Sequence, residues 1–596
     1  MASTTFSFEV FGPVVVRENL GSNNEFDDVV GGTNGSKHNH SREEYWRDSS
    51  FMETLNSDFG LYQDNLLESD LVFAKFQQQD KQEEYPLPAD DLLDDLNFEA
   101  GSPTLQTCLK EIANLGSELS GVQHGKDKKE KQHPFWLASL ELLKSYEHRW
   151  KKLDGDKFIK PSSNTTLNRL ADPSLSTEEI IRLAGVKFIQ TTSSVGDLPS
   201  TFIHPYGSSF SGLSDQDMKD AQLVELLLFA AEKVHYQEFH RASKLLNQCN
   251  CLCSNKGNPI QRVVFYFAEA LRERIDRGSG RIAVNACGKR QKPDPHAQMT
   301  NPTRSKIACH QELPFVQVAQ FAGVQAIVES VDDAKKVHVI DLNIGSGAQW
   351  TILMQALVLC YDCQIELLKI TAVGTSSKNR IDETGKRLIN FAQSMSLPFT
   401  FKSVVVGDVL DLKHELFEID TEEAVFVYSQ YFLRTLIPQP NRLESLMKVI
   451  RKTNPRVMVV AEVEANLNSP NFVHRFIESL FYYGACFDCL EASMSREDFN
   501  RRIIESIYFG DAVKNILASE GEERTVRHVK IDVWRAYFGR FGMIEAELSS
   551  SSLYHANLVM EKFGCGRFCT FDMNGKCLIV GWKGTPVQSL SVLKFT

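Results

Sequence analysis

VHVIDLNIGSGAQW, residues 337–350, passes from a short apolar run into a glycine-bearing turn and then into the start of a helix. The run VHVIDL is too short for a buried helix and rich in β-branched residues, so it reads as a strand covered on both faces. GAQWTILMQALVL follows as a helix. The alternation then repeats downstream. IELLKITAV (365–373), FTFKSVVV (399–406), AVFVYSQ (424–430) and RVMVVAEVE (456–464) read as strands. NRIDETGKRLINFAQSM (379–395) and NRLESLMKVIRK (441–452) read as the helices between them. Strands alternating with helices of about 12 residues form βαβ units with right-handed crossovers. Longer helices are expected over 472–485, 497–519 and 525–541. FCTFDMNGKCLIVGW (568–582) reads as a hairpin turning at Asn574-Gly575 with positive φ at both positions. The fold class is therefore α/β. A mostly parallel Rossmann-like sheet closed by a C-terminal hairpin is the class I methyltransferase-like variant.

Upstream of that core the pattern is helical. Residues 219–248 form a helix pair with Leu223, Leu226, Leu227, Ala230, Ala242, Leu245 and Leu246 on apolar stripes. Gly257-Asn258-Pro259 breaks the chain before a third helix through Val263, Phe267, Leu271 and Ile275. These helices make a cap over 216–280, joined by the inserted helices near 472–541, on an α/β core from about 305 to 596. Leu223, Leu226 and Leu227 form an LxxLL element whose spacing of 3 and 4 puts all three on one face. It is a candidate helix-in-groove docking surface, with a core between cap helices as its alternative.

The charge is unevenly spread. Residues 1–100 hold 21 Asp+Glu against 6 Lys+Arg, and the other 496 residues hold 56 against 59. Segment 1–132 reads as a disordered acidic region in which DDLLDDLNF and FMETLNSDFGLYQDNLLESDLVF carry the apolar residues, a composition found in activation-type segments. Residues 133–215 read as a partly helical linker region, where Ser176 and Glu179 form a capping box. No stretch approaches the roughly 20 apolar residues of a membrane span, and no secretory signal is evident.

The turn after VHVID is the place to test for chemistry. Adenosylmethionine-dependent enzymes end this strand on an acid and follow it with closely spaced glycines. Asp341, Gly345 and Gly347 meet that spacing, but Asn343 stands where the first glycine belongs. The second strand ends ITAVGTSS (370–377) with no carboxylate for a ribose, so charge-assisted bonds to the hydroxyls are missing. No cofactor is expected. Other chemistries find no support: there is no phosphate-gripping Lys-Ser/Thr and no GxSxG turn. His235 and His240 point about 140° apart on a helix. The CxxC pairs Cys360–Cys363 and Cys486–Cys489 lie too far apart in sequence for a zinc site, so reduced thiols are expected.

Several blocks in order resemble the GRAS family of plant transcriptional regulators, across about 216–596. They are LVELLLFAAE, VHVIDLNIGSGAQW with its core Val337, His338, Val339, Ile340 and Asp341, the stretch Ile381–Leu412, NFVHRFIESLFYYGACFDCLE, RRIIESIYFG with EGEERTVRH, and LIVGWKGTPVQSLSVLKF. SLSTEEIIRLAGVKFIQ is similar to DELLA-like members, but the acidic DELLA sequence itself is absent. Leu342, Asn343 and Leu593 depart from the family pattern. The resemblance implies a Rossmann-like core under a helical cap and a non-catalytic nuclear role. It further implies binding of other transcription factors or GRAS partners, with homo- or heterodimers among them, and sometimes DNA. Arg501, Arg502, Arg524 and Arg527 are the candidate phosphate contacts. The rival reading is an adenosylmethionine-dependent methyltransferase.

Overall fold

The computed structural model describes residues 135, 175–192, 214–281, 311–359, 365–375 and 378–596. The acidic segment 1–132 and Cys360–Cys363 lie outside the described residues.

Five parallel strands form the centre of the sheet: β1 (Lys336–Asp341), β2 (Leu367–Gly374), β3 (Phe399–Val405), β4 (Glu423–Gln430) and β5 (Val457–Val463). They run in the order β3-β2-β1-β4-β5. Every residue of β5 is buried, as the apolar run VMVVA requires of a strand covered on both faces, and Glu462 is enclosed with it. The sheet continues through an antiparallel β9 (Thr585–Phe595), then β8 (Cys577–Trp582) and β7 (Cys569–Asn574), with β6 (Met543–Ala546) paired to the end of β9. A reversed strand inserted next to β5 is the arrangement expected of the methyltransferase-like variant.

The cap contains α1 (Thr177–Thr192), α2 (Asp215–His235), α3 (Phe239–Leu252) and α4 (Pro259–Gly278). The core helices are α5 (Pro314–Glu329), α6 (Ala348–Leu359), α7 (Lys378–Ser394) and α8 (Pro440–Thr453). After β5 come α9 (Phe472–Ser493), α10 (Phe499–Ile503), α11 (Asp511–Ala518) and α12 (Ile531–Gly539), and α13 (Ser550–Lys562) precedes the hairpin. One sheet face packs Ile340, Val427, Met458 and Val460 against Leu446 and Ile450 of α8 and Trp534 and Phe538 of α12. On the other, α5 lies against Tyr428, Val459 and Leu590. A second core joins α1, α2, α4, α9 and α11 through Ile181, Phe188, Leu227, Phe267, Phe476 and Ile516.

Several expectations need adjustment. The helix expected over 525–541 begins only at Ile531. Asn515 accepts from the Val526 amide at 2.8 Å, and Glu464 accepts from the Ile531 amide at 3.0 Å, so 524–530 is held extended. The helix expected over 497–519 is interrupted by a π-type turn at Ile504–Gly510. In the hairpin Asn574 pairs with Cys577, so the loop is Gly575-Lys576, and only Gly575 has positive φ. That is the demand of a type II′ loop, with Gly first. α1 is not part of a separate linker region. Its capping box forms as read, with the Ser176 amide 2.8 Å from Glu179 Oε2 and the Glu179 amide 3.2 Å from Ser176 Oγ. The helix then packs on α2 and α9, and Glu178 accepts from Thr585 of β9 at 2.9 Å. Phe135 is also buried in the cap, edge-on to Phe188 at 5.7 Å. The folded body therefore reaches upstream of 216.

Candidate functional site

In an open α/β sheet, ligands bind outside the carboxyl ends of the strands where the order reverses, here between β1 and β4. The residues at that point are Asp341, Leu342 and Asn343 on one side and Gln430 and Tyr431 on the other. All five family-core residues, Val337, His338, Val339, Ile340 and Asp341, are buried.

His338 sits toward the start of β1, away from the crevice. Burial and nearby Lys369 hold its imidazole down to about 4, overcoming the attraction of Glu423, so the ring is neutral. Its Nδ1–H donates to Glu423 at 2.8 Å and its Nε2 accepts from Thr371 at 2.8 Å. The ring thus ties β1 to both neighbouring strands.

Asp341 closes on its own turn. One carboxylate oxygen accepts from the Asn343 amide at 2.9 Å. The other accepts from Gln349 Nε2 at 3.1 Å and Trp350 Nε1 at 2.7 Å. Burial nonetheless pushes its pKa up to about 6. Asn343 then spans the crevice itself, its Nδ2 donating to the Gln430 carbonyl at 3.2 Å. Gly347 has φ +72, and a Cβ there would meet Thr384 Cγ2 at 2.9 Å and Leu388 Cδ1 at 3.2 Å, so α7 fills the space beside it. Of the two turn glycines, Gly345 is the one that faces open space. β2 ends at Gly374 without a carboxylate. These residues do not fit adenosylmethionine. The strand-exit acid is consumed by the turn, the position of the first glycine carries a bridging side chain, and the ribose has no acidic acceptor.

Beyond Asn343, buried amides that the sequence did not single out gather at the carboxyl end of β4 (Gln430), near the amino end of β9 (Gln588) and on α5 (Gln320). Gln320 of α5 donates to Gln430 Oε1 at 3.1 Å, and Tyr431, at φ 56, donates from its hydroxyl to Gln588 Oε1 at 2.7 Å. Gln588 lies in a stretch with no plain apolar alternation, which is why β9 was missed.

The docking and phosphate candidates separate by burial. Leu223 and Leu227 are buried and Leu226 is half-buried against the same cap core, so the LxxLL leucines pack between cap helices and present no groove-binding face. Arg501 is 1% exposed. It pairs with Glu505 at 2.9 Å and with Glu491, and donates to the Met494 carbonyl at 2.7 Å. Arg262 joins the same carboxylates at 2.8 Å and 3.2 Å. Burial opposes the charge on Glu491, but Arg501, Arg262 and Arg496 bring it down to about 2. Arg524 is buried too, donating to the Leu467 carbonyl at 3.1 Å, and burial lowers it to about 9. Half-buried Arg527 donates to Asn468 at 3.0 Å and the Gly521 carbonyl at 2.7 Å. Arg501 and Arg524 are therefore internal braces, closed to a phosphate in this conformation. Arg502 is exposed, with its guanidinium 5.9 Å from the Phe499 ring centroid. No group of three metal-ligating side chains occurs among the described residues, and no described helix is long and apolar enough to cross a membrane.

Comparison with known proteins places this geometry. The chain is 30% identical to DELLA protein RGA of Arabidopsis thaliana over 392 residues, 64% of either chain. It is 29% identical to DELLA protein GAI1 of Vitis vinifera over 410 residues, 67% of either. The chain thus spans about two thirds or less of these relatives' own length. The structure of SCL7 from Oryza sativa superposes with a TM-score of 0.53 at 24% identity, covering 59% of this chain and 94% of that one, which shows a shared fold. The family model described as the GRAS domain family matches residues 223–594, more than half of the sequence. With the buried VHVID strand, the cap helices α3 and α4 and the hairpin-closed sheet falling inside that match, the chain belongs to the GRAS domain family.

Proposed function

We propose that this protein is a plant transcriptional regulator that works in the nucleus as a non-enzymatic scaffold, binding other transcription factors or GRAS proteins. The observation that carries this reading is the Asn343–Gln430 bridge across the switch point, together with the full use of Asp341 inside its own turn. Adenosylmethionine bound in this fold would occupy that crevice. Family membership and the similarity to DELLA proteins support a regulatory role. The acidic, apolar-studded sequence of residues 1–100 is suited to recruiting transcriptional partners. Contact with DNA, where it occurs, runs mainly through partners, because two of the four candidate arginines are enclosed.

Titration calorimetry of the full chain with S-adenosylmethionine tests the central point. No heat of binding is expected, and micromolar binding would establish the methyltransferase alternative instead. A proximity-labelling census in plant nuclei tests the partner class. Transcription factors and GRAS proteins should dominate it, and their absence would refute the scaffold reading.

A further inference from the structure

The chain leaving α11 runs past a group of arginines with too few carboxylates to balance them. Arg274 of α4 and Arg475 of α9 both donate to one oxygen of Glu520, Oε1, at 2.8 Å and 2.5 Å. Arg475 also donates to the carbonyls of Ile516 at 3.1 Å, Ser469 at 2.9 Å and Pro470 at 2.8 Å, and Arg274 to that of Leu517 at 2.8 Å. Two further arginines stand alongside. Arg524 shares the Ser469 carbonyl with Arg475, donating at 3.4 Å, and Arg527 donates to the carbonyl of Gly521, next to Glu520, at 2.7 Å. Their other bonds go to carbonyls and to Asn468, and neither meets a carboxylate among the described residues. Arg524 is 4% exposed, and its Nε has no hydrogen-bond partner. Of the neighbouring acids, Glu523 pairs with Arg277 at 2.7 Å and Glu522 is exposed. Four guanidinium groups therefore gather around one carboxylate. The Ile516 and Leu517 carbonyls at the end of α11 supply about half a unit of negative charge, which leaves most of the excess unanswered.

We propose that these arginines form a binding site for a phosphate-type oxyanion, which takes the place of the Glu520 carboxylate between Arg274 and Arg475. Glu520 is placed to be displaced. Its side chain is 51% exposed while that of Arg475 is wholly enclosed, so the point held by the two guanidinium groups is reached from solvent through the acid itself. Gly521, at φ +57 with open space around it, turns the chain immediately after. The receiving groups stay where they are, because three backbone carbonyls fix Arg475 and the Phe472 ring, 4.3 Å from the Arg274 guanidinium, supports the other. A phosphate monoester brings up to about two negative charges and three acceptor oxygens where a carboxylate brings one charge and two. It keeps the bonds to Arg274 and Arg475 and answers more of the charge on Arg524 and Arg527. The titration of the groups agrees with this. Burial opposes the charge on Glu520, but Arg475 and Arg274 hold its carboxyl below the ordinary range. Burial and then the like charges of Arg475 and Arg527 bring Arg524 down to about 9.

The test titrates the full chain with inorganic phosphate by calorimetry, with sodium chloride of equal ionic strength as the reference. The resident carboxylate competes in the unmutated chain, so Glu520→Gln should bind phosphate at least about tenfold more tightly. Adding Arg274→Gln to that variant should remove the gain. A phosphoserine peptide flanked by glycines separates the sources of the anion. Binding about tenfold tighter than that of phosphate assigns the site to a phosphorylated side chain, and equal binding assigns it to free phosphate. No phosphate binding by Glu520→Gln, or binding that Arg274→Gln leaves undiminished, would overturn the proposal. Hydrogen exchange on the unmutated chain decides the matter even where a variant fails to fold. Saturating phosphate, unlike chloride, should speed amide exchange over residues 519–523 as Glu520 is released, and an unchanged rate there counts against the site.

Discussion

Trp350 shows how one side chain decides what a strand exit can do. Its indole N–H and the Gln349 amide share one oxygen of Asp341. Trp350→Phe keeps the ring but leaves a buried carboxylate short of a donor, so it should cost about 1–3 kcal/mol in denaturant-melt stability. Asp341 would then be less able to hold its charge. A second consequence at this scale concerns pH. Burial raises both Glu462 and Glu464 to about 7 from 4.5, against the pull of Arg434 on the first and Lys530 on the second. A carboxyl whose folded pKa lies above its unfolded one stabilises the fold fully below the unfolded value and loses that contribution as pH rises through the folded value. His338 acts in the opposite sense, stabilising above its unfolded 6.5 and losing the contribution as pH falls toward about 4. Two carboxyls outweigh one imidazole, so thermal stability should decline from about pH 4.5 to about pH 7. Glu462→Gln should remove a substantial part of that slope, and an unchanged slope would show that Glu462 titrates normally.

Among the elements, the cap arginines separate bracing from surface charge. Arg501→Ala breaks a buried pair and leaves Glu505, which is 1% exposed, with Arg262 as its remaining ion-pair partner, and should cost about 3–5 kcal/mol. Arg502→Ala should stay within about 0.5 kcal/mol. Urea melts of the two variants check this, and equal losses would contradict the assigned burial. The parallel strands were readable from sequence because burial on both faces leaves a valine-rich, nearly continuous apolar run, as in VMVVAEV of β5. The cap helices were readable from their 3-and-4 leucine spacing. β9 was not, because the buried polar residues Gln588, Ser589 and Ser591 interrupt it, so no apolar period marks the strand. The start of α12 was misplaced because long-range bonds from Asn515 and Glu464, invisible in a local window, hold the preceding segment extended. At the crevice, the sequence displayed the missing acid and the misplaced Asn343. It did not display that Asn343 reaches across to Gln430, nor that Arg501 and Arg524 turn inward.

For the whole molecule, the boundary of the folded body lies further upstream than the leucine-rich helices suggest. α1 buries Ile181 and Phe188 in the cap and reaches β9 through Glu178. A fragment beginning at residue 216 loses those contacts, on the order of 5 kcal/mol of apolar burial. It should melt well below a fragment beginning at 133, and differential scanning calorimetry of the pair would reveal it. Equal melting temperatures would show that α1 is a passenger on the cap.

β9 is the last strand in the chain and yet lies inside the sheet, hydrogen-bonded to β5 on one side and β8 on the other. Synthesis must therefore run through residue 595 before the α/β layer can close, and until then β5 waits with an open edge. A frameshift or stop codon within codons 585–595 would remove an interior stave of the sheet. Lesions in β9 should be as damaging to the protein as lesions in the central parallel strands.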